Sequence, residues 1–99
     1  MNMSDRFVCT ISFCSYNDQF LKFALRSLTA FAQEENFTYE LYCKISKETI
    51  VICFDIYYFE SDPEAIKNLE AMLVGWHKAM IPWFDGFYKN SERGVKNDC

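Results

Sequence analysis

Cysteines and a single histidine are the residues of this 99-residue chain that could hold a metal ion or attack a substrate. They stand at Cys9, Cys14, Cys43, Cys53, Cys99 and His77. Zinc sites usually use cysteine pairs at CxxC spacing, and no two of these cysteines have that spacing. A cysteine nucleophile needs a base held against an exposed thiolate, whereas His77 lies next to an apolar tryptophan on a helical stripe. The pattern therefore predicts no enzyme, no metal site and no cofactor.

The cysteine count and the first residues indicate a compartment. Five cysteines is an odd number, and the chain begins without the apolar segment and small-residue cleavage site of a secretory signal. No apolar run approaches the ~20 residues of a transmembrane helix. We therefore expect reduced thiols, a cytoplasmic location and no contact with a membrane.

Carboxylates are the second group of side chains with chemical potential. Acids number 14 and bases 10, for a net charge of −4. Because binding to a phosphate backbone depends on lysine and arginine, this balance predicts no direct contact with nucleic acid. The stretch from 55 to 70 has one base, Lys67, and five acids: Asp55, Glu60, Asp62, Glu64 and Glu70. These acids could steer a partner with a basic surface, or they could cap the following helix and face solvent.

Aromatic residues are the compositional outlier, with ten Phe, six Tyr and two Trp making up 18% of the chain. A core of this size cannot easily enclose so many rings, and aromatic surface is typical of the centre of an interface. The aromatic residues predicted to contact a partner are Tyr42, Tyr57, Phe59, Trp83, Phe84, Phe87 and Tyr88. A second patch, predicted for self-association, consists of Phe20, Phe23 and Phe31.

Three segments have the alternation of apolar and polar residues that predicts strands. They are residues 7–14, 37–45 and 50–59. In the first segment, the alternation places Phe7 on the core face together with Phe13. In the third, it places Ile50 on the core face. The four polar residues between the second and third segments predict a hairpin, without the Asn-Gly signal that would define its turn.

Two segments repeat apolar residues at spacings of three and four, which predicts amphipathic helices over 17–33 and from 61 to about 80. Pro82 should break or kink the second helix. Residues 83–88 would then be a short extra element, either a strand, a helical turn or a packed loop. Residues 89–99 are polar, and we expect them to form a frayed tail.

The element order β-α-β-β-α predicts one α+β domain over residues 1–88. A strand, a crossover helix and a hairpin pack most simply as a three-stranded antiparallel sheet of order 1-3-2 with both helices on one face. This topology is similar to a ferredoxin-like unit that lacks its fourth strand. The opposite face of the sheet should be open to a partner, unless residues 83–88 and the tail cover it.

In size, acidity and aromatic content the chain resembles the small single-domain proteins that phages and toxin operons encode as stoichiometric inhibitors, such as anti-CRISPR and toxin-immunity proteins. The resemblance implies that an acidic, aromatic surface covers a basic functional surface on a larger protein, without bond chemistry. The alternative is a homodimeric structural or adaptor protein that uses its aromatic residues for self-association. A DNA mimic is a third hypothesis, although it requires acids spread over a whole face.

Overall fold

The strands and helices follow the predicted order. The computed structural model describes residues 5–14 and 16–92, with side chains described as far as Phe87. Its elements are β1 (Arg6–Phe13), α1 (Asp18–Glu35), β2 (Phe37–Ser46), β3 (Thr49–Tyr58) and α2 (Pro63–Glu92). Both outer strands pair antiparallel with β3, so the sheet has the order β1-β3-β2. The predicted α+β fold is confirmed.

Asparagines at both ends define α1. The side chain of Asn17 accepts a hydrogen bond of 2.8 Å from the backbone N–H of Phe20, which satisfies one of the free amides at the start of the helix. Asn36 ends the helix in the left-handed conformation with φ 61°, and its N–H donates to the carbonyl of Ala32. Because the cap at Asn36 is directly followed by β2, the chain reverses direction without a loop.

A two-residue turn joins β2 to β3. Lys47 and Glu48 both have positive φ, at 51° and 65°. This is the backbone conformation of a type I′ turn, whose twist matches that of the flanking strands. Ser46 therefore pairs with Thr49, and β2 pairs with β3 over all ten of its residues. The turn forms here without the glycine that usually relieves positive φ.

The core lies between the sheet and the two helices, which pack on the same face. The ring of Phe13, at the end of β1, is only 1% exposed. It meets Phe20 on α1 at a centroid distance of 4.9 Å and Trp76 on α2 at 6.1 Å. Phe54 on the central strand also contacts Trp76, at 6.3 Å. The buried apolar residues that build this core from all five elements include Ile11, Leu28, Phe37, Ile52, Ile56, Leu69 and Leu73.

An irregularity in β1 between Phe7 and Cys9 changes which residues face the helices. Phe7 pairs with Tyr57, and the two rings meet edge to face at 5.8 Å on the side of the sheet away from the helices. Val8 and Cys9 instead pack against the core. The prediction that Phe7 faces the core is therefore wrong, because a bulge inserts one residue and shifts the alternation of side chains.

The second helix does not stop near Pro82 but continues to Glu92. Met80 before this proline and Phe84 after it are both buried, and Phe87 also packs against the core. The prediction of a helix end near residue 80 and of a separate element over 83–88 is therefore wrong, because this apolar stripe outweighs the proline. Of the predicted tail, residues 89–92 belong to α2 and residues 93–99 lie outside the described residues. Among the described residues, no helix combines the length and apolar character that crossing a membrane requires.

Candidate protein-interaction surfaces

Within the part of the chain that the structure describes, the free thiols and the histidine lie on different strands and helices. Cys43 is exposed on β2 and Cys53 is buried on β3, while Cys9 is half-buried on β1. His77 is held on α2 by a 3.1 Å hydrogen bond between its Nε2 and the carbonyl of Ser12. Within residues 5–14 and 16–92, no three metal-binding side chains gather in positions to hold an ion.

Two details of the thiols qualify the sequence predictions. Cys14 is disulfide-bonded, so the expectation that every thiol is reduced does not hold for this residue. Burial raises the pKa of the Cys9 thiol, and the negative charges of Glu70 and Asp55 raise it further. A raised pKa disfavours the thiolate that nucleophilic chemistry requires.

The sheet face away from the helices carries a network of hydroxyl and carboxylate groups. Asp55 accepts hydrogen bonds from Thr10 at 2.7 Å and from the Tyr42 hydroxyl at 3.3 Å. Tyr57 donates to Glu40 at 3.4 Å. Partial desolvation and then the neighbouring carboxylates raise the pKa of both tyrosines. The fold therefore places the predicted residues Asp55, Tyr42 and Tyr57 on one face, where Tyr42 bonds to Asp55 and Tyr57 bonds to Glu40.

This face is not open along its whole length. Val51 is 6% exposed and Cys53 is fully buried, although both point away from the helices. The expectation of a uniformly open sheet face is therefore wrong for the half near the β2–β3 turn. The half near the start of β1, with Phe7 exposed to 57%, is the part available to a partner.

Strand pairing concentrates carboxylates at one end of the sheet. Arg6 and Phe37 both pair with Tyr58, so the start of β1, the end of α1 and the start of α2 meet at this end. Six acids lie within a few residues of these pairs, and we call them the acidic end: Asp5, Glu34, Glu35, Glu60, Asp62 and Glu64. In the described part of the chain, none of them forms a salt bridge, since the ion pair found there joins Lys22 to Asp18.

The acidic end differs from the acidic patch that the sequence predicts. Glu60, Asp62 and Glu64 belong to both, and Asp62 also caps α2 by accepting the N–H of Glu64 at 3.3 Å. Asp55 lies on the sheet face and Glu70 lies further along α2. Three acids that are distant in sequence join the cluster through the fold, namely Asp5, Glu34 and Glu35. Only the register of β1 and β2 against β3 could have revealed them.

The predicted aromatic residues divide between surface and core. Phe59 is 51% exposed at the acidic end and touches Tyr58 at 5.3 Å, while Trp83 is 56% exposed on α2. Phe84 is buried and Phe87 is half-buried, so in this structure Phe84 belongs to the core and is not presented on the surface. Tyr88 lies in α2, and its side chain is outside the described residues.

The three phenylalanines of α1 do not form a surface patch. Phe20 is fully buried in the core. Phe23 is half-buried against Trp83 at 5.1 Å, and Phe31 is half-buried against Phe37 at 5.1 Å. These rings are therefore unsuited to the self-association that the sequence predicts, because α1 is covered by α2 on one side and by β2 on the other.

Apolar side chains near the β2–β3 turn lie on the helix side of the sheet but remain uncovered. Ile45 is 80% exposed and pairs with Ile50, which is 45% exposed, so the prediction that Ile50 is in the core is wrong. Leu41 and Cys43 are exposed on the same face of β2. We call these four residues the hairpin patch. It exists because the helices end their contact with the sheet before the hairpin does.

Comparison with known proteins adds no relative. The chain matches no protein-family model, no curated protein and no solved structure.

Proposed function

We propose that this protein is a binding module that covers a basic functional surface of a larger protein, and that the acidic end is its contact surface. The observation that carries the proposal is the exposure of Phe59 and Phe7 among carboxylates that form no salt bridge within the described residues. An apolar aromatic centre surrounded by a charged rim is the usual anatomy of an interface. Six carboxylates outnumber the one base of this rim, Arg6, and an excess of negative charge favours a partner with positive charge.

The position of Glu34 and Glu35 supports a basic partner. Both lie in the last turn of α1, which contains no basic residue. Carboxylates at the carboxyl end of a helix are unfavourable because the helix dipole is negative there. Lysine or arginine side chains of a partner would offset this repulsion, and the concentrated negative field would accelerate association.

Such a module would act as a stoichiometric inhibitor by occlusion. Phe59 and Phe7 would be buried against the partner, while the carboxylates would pair with the basic groups that normally bind the partner's own substrate. The Asp62 cap and the strand register hold these side chains in place without partner-induced folding. No bond is made or broken, in keeping with the dispersed thiols and histidine.

The test compares two variants with the same change in net charge. Glu34→Lys with Glu35→Lys alters the acidic end and leaves the Asp62 cap intact. Glu48→Lys with Asp85→Lys is the matched control, because these exposed acids lie in the β2–β3 turn and on the far half of α2. Affinity capture from the native host with the unaltered chain, followed by mass spectrometry, identifies the partner for calorimetry.

We expect the Glu34/Glu35 variant to bind the captured partner at least about tenfold more weakly, and the control to lose less than about threefold. Phe59→Ala should also weaken binding by about tenfold or more, since it removes the apolar centre. Equal losses for the two charge variants would mean that only the total charge matters. Unchanged binding for Glu34/Glu35 and for Phe59→Ala would remove the acidic end as the contact surface.

A further inference from the structure

The outer edge of β2 is a long strand edge without a bulge or a proline. Proteins protect such edges with bulges, prolines, very short strands or charged side chains, and of these β2 has the charged side chains Glu40 and Lys44. The other edge strand, β1, has its bulge between Phe7 and Cys9. β2 runs for ten residues, contains no proline or glycine, and pairs with β3 without a register shift. Its outward backbone groups can therefore receive another strand.

The side chains of β2 are complementary to a second copy of the same strand. In a two-fold antiparallel pairing centred on Tyr42, Glu40 of each chain stands opposite Lys44 of the other. Both side chains are exposed and both point to the face away from the helices. Directly opposite charges stabilise a cross-strand pair, and the two-fold axis produces this pair twice. Lys44, the one lysine of β2, would therefore lie opposite Glu40 of the second chain.

The same register covers the hairpin patch. On the helix side, Leu41 would stand opposite Cys43 of the second chain, and Ile45 opposite Tyr39. In its own chain Tyr39 is half-buried beneath α1, where its hydroxyl is 2.7 Å from that of Thr29. The uncovered end of each hairpin would therefore lie beside the helix-covered end of the other. A side chain as exposed as Ile45, at 80%, would lose contact with water on pairing.

We infer that β2 is a homodimer interface, in which two chains pair antiparallel about Tyr42 to form a continuous six-stranded sheet. The partner is a second copy of this chain, because one register satisfies the charges and the apolar side chains together. This interface is distinct from the acidic end and does not depend on the proposed function.

Charge reversal tests the interface through rescue. Glu40→Lys and Lys44→Glu each place like charges opposite one another twice, so we expect each to raise the dimer dissociation constant at least about tenfold. The double variant restores both pairs and should return to within about threefold of the unaltered chain. An equimolar mixture of the two single variants should form heterodimers, since both lysines of one chain then stand opposite glutamates of the other.

Sedimentation equilibrium measures these constants, with Cys43 replaced by serine in every chain because a reductant would also open the disulfide at Cys14. The dimer has twice the 11.7 kDa mass of one chain. Glu40→Lys also removes the hydrogen bond that Tyr57 donates to Glu40. The double variant lacks this bond too, so its recovery of dimerisation would report the charge pairs. A monomeric unaltered chain at about 100 μM, or single variants that dimerise normally, would overturn the inference.

A cysteine crosslink tests the register itself. With Cys43 replaced by serine, Tyr42→Cys should form an intermolecular disulfide on mild oxidation, since directly opposite residues have Cα atoms about 4.5–5.5 Å apart. Thr38→Cys in the same background is the control. Its counterpart would lie eight residues away along the strand, about 27 Å. Equal crosslinking of both variants, or none with Tyr42→Cys, would refute pairing about Tyr42.

Discussion

Replacing Pro82 by alanine should stabilise the protein. Pro82 lies inside α2, with buried Met80 before it and buried Phe84 after it. A proline in a helix interior removes one backbone hydrogen bond, and its ring clashes with the carbonyl four residues earlier. The penalty relative to alanine is about 3 kcal/mol in model helices. Local bending of a long helix relieves part of it, so we expect the free energy of unfolding to rise by about 1–3 kcal/mol.

Whether Pro82→Ala raises or lowers the free energy of unfolding distinguishes a continuous α2 from a helix that ends near residue 80. If the helix ended near residue 80, Pro82 would be in a compatible loop, and alanine would destabilise the protein by about 0.4–1 kcal/mol through the greater freedom of the unfolded chain. If α2 is continuous, the melting temperature should rise by about 4–8 °C for each kcal/mol gained. Urea unfolding followed by circular dichroism measures the change.

Asp85→Ala is the matched control, because Asp85 is an exposed residue of the same helix. It should change the free energy of unfolding by less than about 0.5 kcal/mol. Lower stability for Pro82→Ala, with the control unchanged, would refute a continuous α2 and restore the helix end that the sequence predicts.

Three further predictions concern the core, the α1 cap and the thiols. Phe13→Ala should lower the free energy of unfolding in urea by about 4–5 kcal/mol, because the ring is buried and also meets His77 and Phe84. Phe13→Leu should lower it by less than about 1.5 kcal/mol. Equal losses for the two variants would contradict this packing. Asn17→Ala should lower the free energy of unfolding by about 2 kcal/mol, since it removes both the α1 cap and a 3.2 Å hydrogen bond donated to the Phe87 carbonyl. Asn17→Ser keeps a cap oxygen and should recover about half of that stability. A loss for serine as large as that for alanine would argue against the cap. At pH 8 a maleimide or disulfide reagent should label Cys43 before Cys9, and Cys9 labelling should accelerate towards pH 10. Because folding raises the pKa of Cys9, the stabilising effect of the protonated thiol is present below its ordinary pKa and is lost as the pH rises through the folded-state pKa; Cys9 reacting as fast as Cys43 at pH 8 would contradict this.

Local patterns accounted for most of the fold. Alternation defined β2 and β3 to within a residue or two, and helical spacing defined α1 to within two residues. The order β1-β3-β2 followed from connection rules alone. These features are predictable because each depends on neighbours in the chain or on general limits to how strands connect.

The errors share one cause, which is packing between distant segments. The bulge that turns Phe7 outwards depends on how β1 meets β3. The continuation of α2 through Pro82 depends on the contacts of Phe84 and Phe87 with the ring of Phe20. Aromatic content alone could not separate the exposed Phe59 from the buried Phe84, since the two differ only in what covers them.

The amino-acid sequence by itself determined the element types, the antiparallel α+β architecture, and the acidic, aromatic-rich character of the chain. The tertiary structure alone decided where the surfaces are. It placed Glu34 and Glu35 at the same end of the sheet as Glu60, left Ile45 exposed, and placed β2 at an edge of the sheet. The physical reason is that secondary structure arises from short-range periodicity, whereas exposure and charge clustering depend on which remote segments occupy the same space.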